Sequence, residues 1–163
     1  MLSHPQNGIF GMRNSGFSLI ELLVALAIFA IISAIALPLY TAYTDRTYRS
    51  QAQSDLLNCA QALERFASNN FTYVGAADSD ADGVPDAEDG PIATQICDPR
   101  SDDPASDRYT FALDAEPNTF VITATPQNAM AGDGILQYTN AGVRGWDRNG
   151  NDAIEADEQT WDE

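Results

Sequence analysis

Residues 17–39 are nearly all apolar, and between Leu22 and Leu37 only Ser33 breaks the run. A helix over this stretch would be about 35 Å long at roughly 1.5 Å per residue, enough to cross the hydrocarbon core of a bilayer. A secretory signal peptide has a shorter apolar region, usually about 7–15 residues, followed by a small-residue cleavage site. Glu21 sits inside the run. A carboxylate facing lipid unpaired costs roughly 2.5–3.5 kcal/mol or more, so it needs a functional reason. At Pro38 the ring clashes with the carbonyl of Ala34 and removes one donor, so a kink or local melting is expected, unless the residue only marks where the helix leaves the membrane. Beyond it the pattern becomes that of a soluble helix. Leu56, Ala60, Leu63 and Ala67 follow 3–4 spacing, with Gln53, Asp55, Gln61, Glu64 and Arg65 mostly off the stripe. The periodicity fades at Ser68-Asn69-Asn70, which predicts one stem over residues 17–69, roughly 80 Å long.

Downstream, short β-like runs replace helical periodicity. Residues 109–113 alternate, 119–125 are β-branched and aromatic, and 134–139 form a third run. Asn140-Ala141-Gly142 reads as a turn, followed by a short fourth strand at 143–146. Connections of hairpin length predict an antiparallel sheet packed on the Leu56 stripe, an α+β head with a helix laid across a meander.

Composition narrows the chemistry. The 163 residues carry 8 basic and 24 acidic side chains, a net charge of −16, and every basic residue is arginine. The length suits one modest domain. The acid excess argues against nucleic acid and anionic lipid headgroups as partners. With a single histidine, His4, and two cysteines, His-based nucleophile dyads and Cys-rich zinc sites drop out. No nucleophile–base pair is evident, and a non-enzymatic protein is expected.

Two acidic loops remain. In residues 78–89, Asp78, Asp80, Asp82, Asp86 and Asp89 fall at loop positions 1, 3, 5, 9 and 12, with Gly83 at the sharp turn of position 6 and the Val84 carbonyl at position 7. Hard oxygen donors at this spacing suit calcium. The stretch resembles an EF-hand loop and, over residues 82–86, a thrombospondin type 3 repeat; its position 12 is the shorter aspartate. A solvated acidic loop is the alternative, although alternating carboxylates repel one another without a cation. In residues 147–158, Asp147, Asn149, Asn151, Ala153, Glu155 and Glu158 repeat the pattern, with Ile154 at the apolar position 8 and Asp152 where glycine is usual. Neither loop has regular flanking helices on both sides, so a true EF-hand pair is not expected.

The segment Gly16-Phe17-Ser18-Leu19-Ile20-Glu21-Leu22-Leu23-Val24-Ala25 resembles the processing site of type IV pilins and type II secretion pseudopilins. The resemblance implies cleavage by a prepilin peptidase after Gly16 and methylation of the new amino group of Phe17. Residues 1–16, with Arg13, would be a cytoplasmic leader, in keeping with the positive-inside tendency. Residues 17–39 would be the transmembrane half of the stem, and 40–163 the rest of the stem plus a periplasmic head. The family assigns to Glu21 a pairing with the terminal ammonium of a neighbouring subunit, and Pro38 matches the proline that interrupts the pilin stem. Residues 60–66, 69–73 and 120–126 further resemble PilE-type minor pilins. In a periplasmic head, Cys59 and Cys97 would be oxidised to a disulfide, two free buried thiols being the alternative. The resemblance thus implies a minor pilin of type IV pili acting in pilus assembly, motility and adhesion. It would lie in the bacterial inner membrane and then at the cell surface, with other pilins as partners. A type II secretion pseudopilin is the main alternative. A DNA-uptake receptor pilin fits less well, because it needs a basic face.

Overall fold

In the computed structural model, which describes residues 17–80, 82–99 and 108–162, the apolar run and the amphipathic stretch beyond it form one helix, α1 (Leu19–Asn70). Helical assignment passes through Pro38 without a break, so the local melting expected there is absent. Two compact units are distinguished, Met1–Thr41 and Ala42–Glu163. In the first, every described residue from 17 to 39 except Ser33 is exposed. An apolar surface of this extent is stable in lipid or against other apolar helices and not in water. It forms the chain's candidate membrane span, with a mean hydropathy of 2.8.

The second unit is built on a five-stranded antiparallel sheet in the order β1-β2-β3-β4-β5: β1 (Asp89–Pro91), β2 (Tyr109–Ala115), β3 (Phe120–Pro126), β4 (Leu136–Thr139) and β5 (Arg144–Trp146). The fold is therefore α+β. Strand β2 alternates strictly between buried and exposed residues, sending Tyr109, Phe111, Leu113 and Ala115 inward. Phe120, Ile122 and Ala124 from β3 extend the same face, and Ala52, Leu56, Cys59, Ala60 and Leu63 of α1 join them in one core. The expected stripe is therefore real, with two adjustments: Ala67 is only half-buried, and Asp55, expected off the stripe, is buried. The helix ends where Phe71 turns left-handed (φ 60°), its N–H donating to the Ala67 carbonyl.

The four strands read from the sequence are present, with Thr119 left outside β3, Gly134 and Ile135 outside β4 and Val143 outside β5. Strand β1 was not foreseen. Asp-Gly-Pro has no apolar alternation, and pairing makes it a strand, Gly90 lying opposite Leu113. Cys59 and Cys97 are joined in a disulfide across 5.2 Å between Cα atoms, tying the segment after β1 to α1.

One part-buried polar cluster joins helix to sheet. The Arg49 guanidinium grips the Asp133 carboxylate with Nε 2.9 Å from Oδ2 and Nη2 on Oδ1. The Tyr109 hydroxyl donates to Oδ2 of the same carboxylate at 2.6 Å, and Trp146 Nε1 donates to the Asp133 carbonyl at 2.7 Å. Arg49 also lies over the Trp146 ring, 3.9 Å from its centroid. Burial, then the hydrogen bond to Asp133, pushes the Tyr109 phenol well above its ordinary value. Above about pH 10 the unfolded chain releases a proton that the folded chain keeps, so this tyrosine makes stability fall as pH rises. Tyr109→Phe is expected to cost about 1–3 kcal/mol at neutral pH, through loss of a charge-assisted bond. It should also flatten the alkaline decline, as read from urea melts of the detergent-solubilised chain between neutral and strongly alkaline pH.

Candidate functional site

Three features carry the chemistry read from the sequence: the start of α1 and the two acidic loops. Gly16 and the leader lie outside the described residues. Phe17 is exposed, and Glu21 stands in the first turn of α1, also exposed, as the one charged residue between Phe17 and Tyr43.

In the first loop the carboxylates of Asp78, Asp80 and Asp82 converge, with ligand oxygens within 4.8 Å of one another, and the three together could hold a metal ion. Main-chain donors fix them. Asp78 accepts from Asp82 N–H on Oδ1 (3.3 Å) and from Gly83 N–H on Oδ2 (2.6 Å); Asp80 also accepts from Asp82 N–H, and Asp82 accepts from Val84 N–H (2.8 Å). Gly83 turns with φ +90°, and a Cβ there would sit 2.7 Å from Thr94 Oγ1. Its carbonyl accepts from Gln95 N–H, so the disulfide-tied turn that ends at Cys97 braces the loop. Asp86 is turned to the loop's start, accepting from the N–H and hydroxyl of Ser79. Asp89 is not brought to the cluster. It opens β1 opposite Asp114 in the register of the sheet. Sheet pairing has claimed the residue expected at position 12. Burial, followed by the charge and hydrogen bond of Asp89, raises the Asp114 carboxyl above its usual range.

The second loop repeats this wiring with amides in place of acids. Asp147, 1% exposed, accepts from Gly150 and Asn151 N–H on Oδ1 and from Asp152 N–H on Oδ2. Asn149 accepts from Asn151 N–H, and Asn151 from Ala153 N–H, as Asp80 and Asp82 do in the first loop. Asp152, which stands where glycine is usual, makes the turn by adopting φ 60°, a conformation aspartate tolerates better than most residues. Unlike Asp89, Glu158 reaches its loop. It is 3% exposed and takes the N–H groups of Arg148 (3.0 Å), Asn149 (3.1 Å) and Glu155 (3.3 Å). Glu155 in turn accepts from the Asn151 side-chain amide. Ile154, the apolar position, lies on Gly145 of β5, where a Cβ would come within 2.7 Å of its Cγ2. Each loop is stitched to a strand at one edge of the sheet, Asp78 N–H to the Pro91 carbonyl and Trp146 N–H to the Glu158 carbonyl. Sequence spacing found both loops but missed Ser79, Thr94 and Gln95 as the residues that brace the first. Nothing in their local pattern marks them.

Replacing the buried Glu158 by alanine takes the shared acceptor away from three part-buried N–H groups. The expected loss is about 1–3 kcal/mol, measured as a shift of the urea midpoint at unchanged slope.

Comparison with known proteins places these features. A family model described as "Prokaryotic N-terminal methylation motif" matches residues 11–37, and one described as "Type IV minor pilin ComP, DNA uptake sequence receptor" matches residues 38–134. The chain is 38% identical over 64 residues to the type IV major pilin protein PilA of Myxococcus xanthus, covering 39% of this chain and 29% of PilA. It is 27% identical over 143 residues to prepilin peptidase-dependent protein D of Escherichia coli, covering 85% of this chain and 84% of that protein. The chain thus spans less than a third of PilA, the stronger match in identity. No solved structure is a significant match. The helix-on-sheet architecture agrees with the type IV pilin fold, a structural class and not a catalytic one.

Proposed function

The chain belongs to the type IV pilin family, and from that premise we propose that it is a minor pilin, incorporated into or priming an extracytoplasmic pilus and serving pilus-dependent motility and adhesion. The observation that carries this reading is the methylation motif running into an exposed apolar helix with one carboxylate in it. A prepilin peptidase cuts between Gly16 and Phe17, and Phe17 is N-methylated. Residues 17–39 hold the subunit in the inner membrane with its head in the periplasm until assembly. Glu21 is tolerable in that setting once paired with the terminal ammonium of a neighbouring subunit. Mass spectrometry of sheared pili should find N-methyl-Phe17 as the mature N-terminus, and a start at any other residue rejects the reading. Glu21→Val should still insert in the membrane yet reach fibres at least about tenfold less, as loss of a buried ion pair implies.

Two other readings have some support. Processing by a prepilin peptidase is equally expected of a type II secretion pseudopilin, and neighbouring genes for a secretion apparatus instead of a pilus would favour that reading. The family model's description names a DNA receptor. Against DNA stand the net charge of −16 and the engagement of Arg108, Arg144 and Arg148 over the rings of Tyr48, Trp161 and Trp146. Tight binding in a low-salt mobility shift would reverse that judgement.

For the metal we propose calcium in a structural role. Asp78, Asp80 and Asp82 are hard oxygen donors without a nitrogen or sulfur among them, and Asp86 and the Val84 carbonyl follow in the same loop. Loop two, with Asp147, Asn149, Asn151, Ala153, Glu155 and Glu158, is the second candidate. A cation bound only by the folded state adds about 2.7 kcal/mol at a hundredfold excess over Kd. Calcium should therefore raise the Tm of the solubilised chain, chelator should lower it, and magnesium should act much less. Asp82→Ala should remove most of the effect. An unchanged Tm together with no calorimetric heat on calcium addition would reject the first-loop site.

A further inference from the structure

Asn149-Gly150, inside the second loop, is the one Asn-Gly step among the described residues. At such a step the next main-chain nitrogen carries no neighbouring side chain to hinder its approach to the asparagine amide carbon. We propose that Asn149 is a latent site of spontaneous deamidation, held unreactive by the closed loop and released when that loop opens. In the reaction, Gly150 N gives up its proton to solvent and bonds to Asn149 Cγ. The Cγ–Nδ2 bond breaks, and the nitrogen leaves as ammonia. One water then opens the resulting five-membered imide at either carbonyl, giving aspartate or isoaspartate. The balance is one water in and one ammonia out, with no oxidation or reduction, and solvent is the only co-reactant.

The folded loop opposes each stage. Gly150 N–H donates to Asp147 Oδ1 at 2.8 Å, so the attacking nitrogen keeps its proton and points at Asp147. The Asn149 side chain is fixed by accepting from Asn151 N–H at 3.0 Å, and its own N–H is held by Glu158 Oε1 at 3.1 Å. Both restraining carboxylates are buried, Asp147 at 1% and Glu158 at 3% exposure, so solvent cannot replace them without opening the loop. The products differ in consequence. Aspartate adds one negative charge and gives position 3 the residue type that the first loop has at Asp80. Isoaspartate lengthens the main chain by one carbon and takes the donors of Asn151 and Asp152 out of register with Asp147.

The test compares the folded, detergent-solubilised full chain with the same chain in urea, both at mildly alkaline pH in heavy-oxygen water. Peptide mapping then counts labelled aspartate and isoaspartate at position 149. Because reaction proceeds through local opening, the folded chain should react at least about tenfold more slowly than the unfolded one. Asp147→Ala, which frees Gly150 N–H, should bring the folded rate most of the way to the urea rate, with near-ultraviolet circular dichroism reporting that the head is still folded. Gly150→Ala should slow the reaction in urea. Equal rates in the folded and unfolded wild-type chain would overturn the proposal, and that comparison decides even where Asp147→Ala does not fold. So would a folded Asp147→Ala chain no faster than wild type, or a Gly150→Ala chain as fast in urea as the parent.

Discussion

The grip of Arg49 on Asp133, 84 residues away along the chain, is the constraint on which the head's arrangement depends. An unpaired charge in this half-buried position would be strongly destabilising, so each side of the contact needs the other. Asp133 also collects the Tyr109 hydroxyl from β2, and its carbonyl takes the Trp146 indole from β5, so one residue fixes α1, β2 and β5 together. The next residue, Gly134, has φ +79° and runs so close to Asp147 that a Cβ would overlap the Asp147 carbonyl oxygen. Ile135 then accepts the Asp147 N–H at 3.0 Å. The second acidic loop is therefore seated by the same short segment that the helix grips, and its geometry is inherited from the helix–sheet contact.

The two acidic loops also answer a problem that every open sheet has. An edge strand presents unpaired N–H and C=O groups and invites pairing with another chain. Strand β1 is covered by Asp78 N–H on the Pro91 carbonyl and by bridges from Ala77 to Ala87 and Ile92. Strand β5 is covered by the Glu158 carbonyl and by the Trp161 indole donating to the Gly145 carbonyl. The β1 cover includes Asp78, the aspartate at loop position 1, 3% exposed; its counterpart Asp147, 1% exposed, directly follows β5 and donates its N–H to the Ile135 carbonyl. Order in the loops and protection of the sheet edges are thus one physical property.

Periodicity made part of this legible in the residues themselves. Leu56, Ala60 and Leu63 could be read as a buried face because 3–4 spacing leaves few alternatives, and β2 because residues 109–113 alternate moderately, which the strict burial pattern then bears out. The left-handed turn at Asp152 was a recognisable departure, and the structure shows how the residue bears it. Strand β1 was hidden because its strand character comes from its partner, opposite Leu113. For the same reason Asp89 was assigned to a loop, although pairing with Asp114 takes it to the sheet. The Arg49–Asp133 contact was invisible for another reason: it is a long-range ion pair, and one sequence carries no signal of which charges will meet.

Arginine usage shows how an acidic head of this kind organises its few cations. Arg49 and Arg148 lie over Trp146, Arg108 over Tyr48 and Arg144 over Trp161. A planar guanidinium can stack on a ring and still present its edge to acceptors, as Arg49 does to Asp133 and Arg148 to the Asp157 and Asp162 carbonyls. An ammonium lacks this planar fork, which gives a physical reason for arginine and not lysine at these four positions. In the first loop the carboxylates of Asp80, Asp82 and Asp86 accept from main-chain N–H groups. Partial charges of that kind orient a carboxylate without neutralising it. The chain's net charge of −16 is therefore not cancelled by these contacts within the loop.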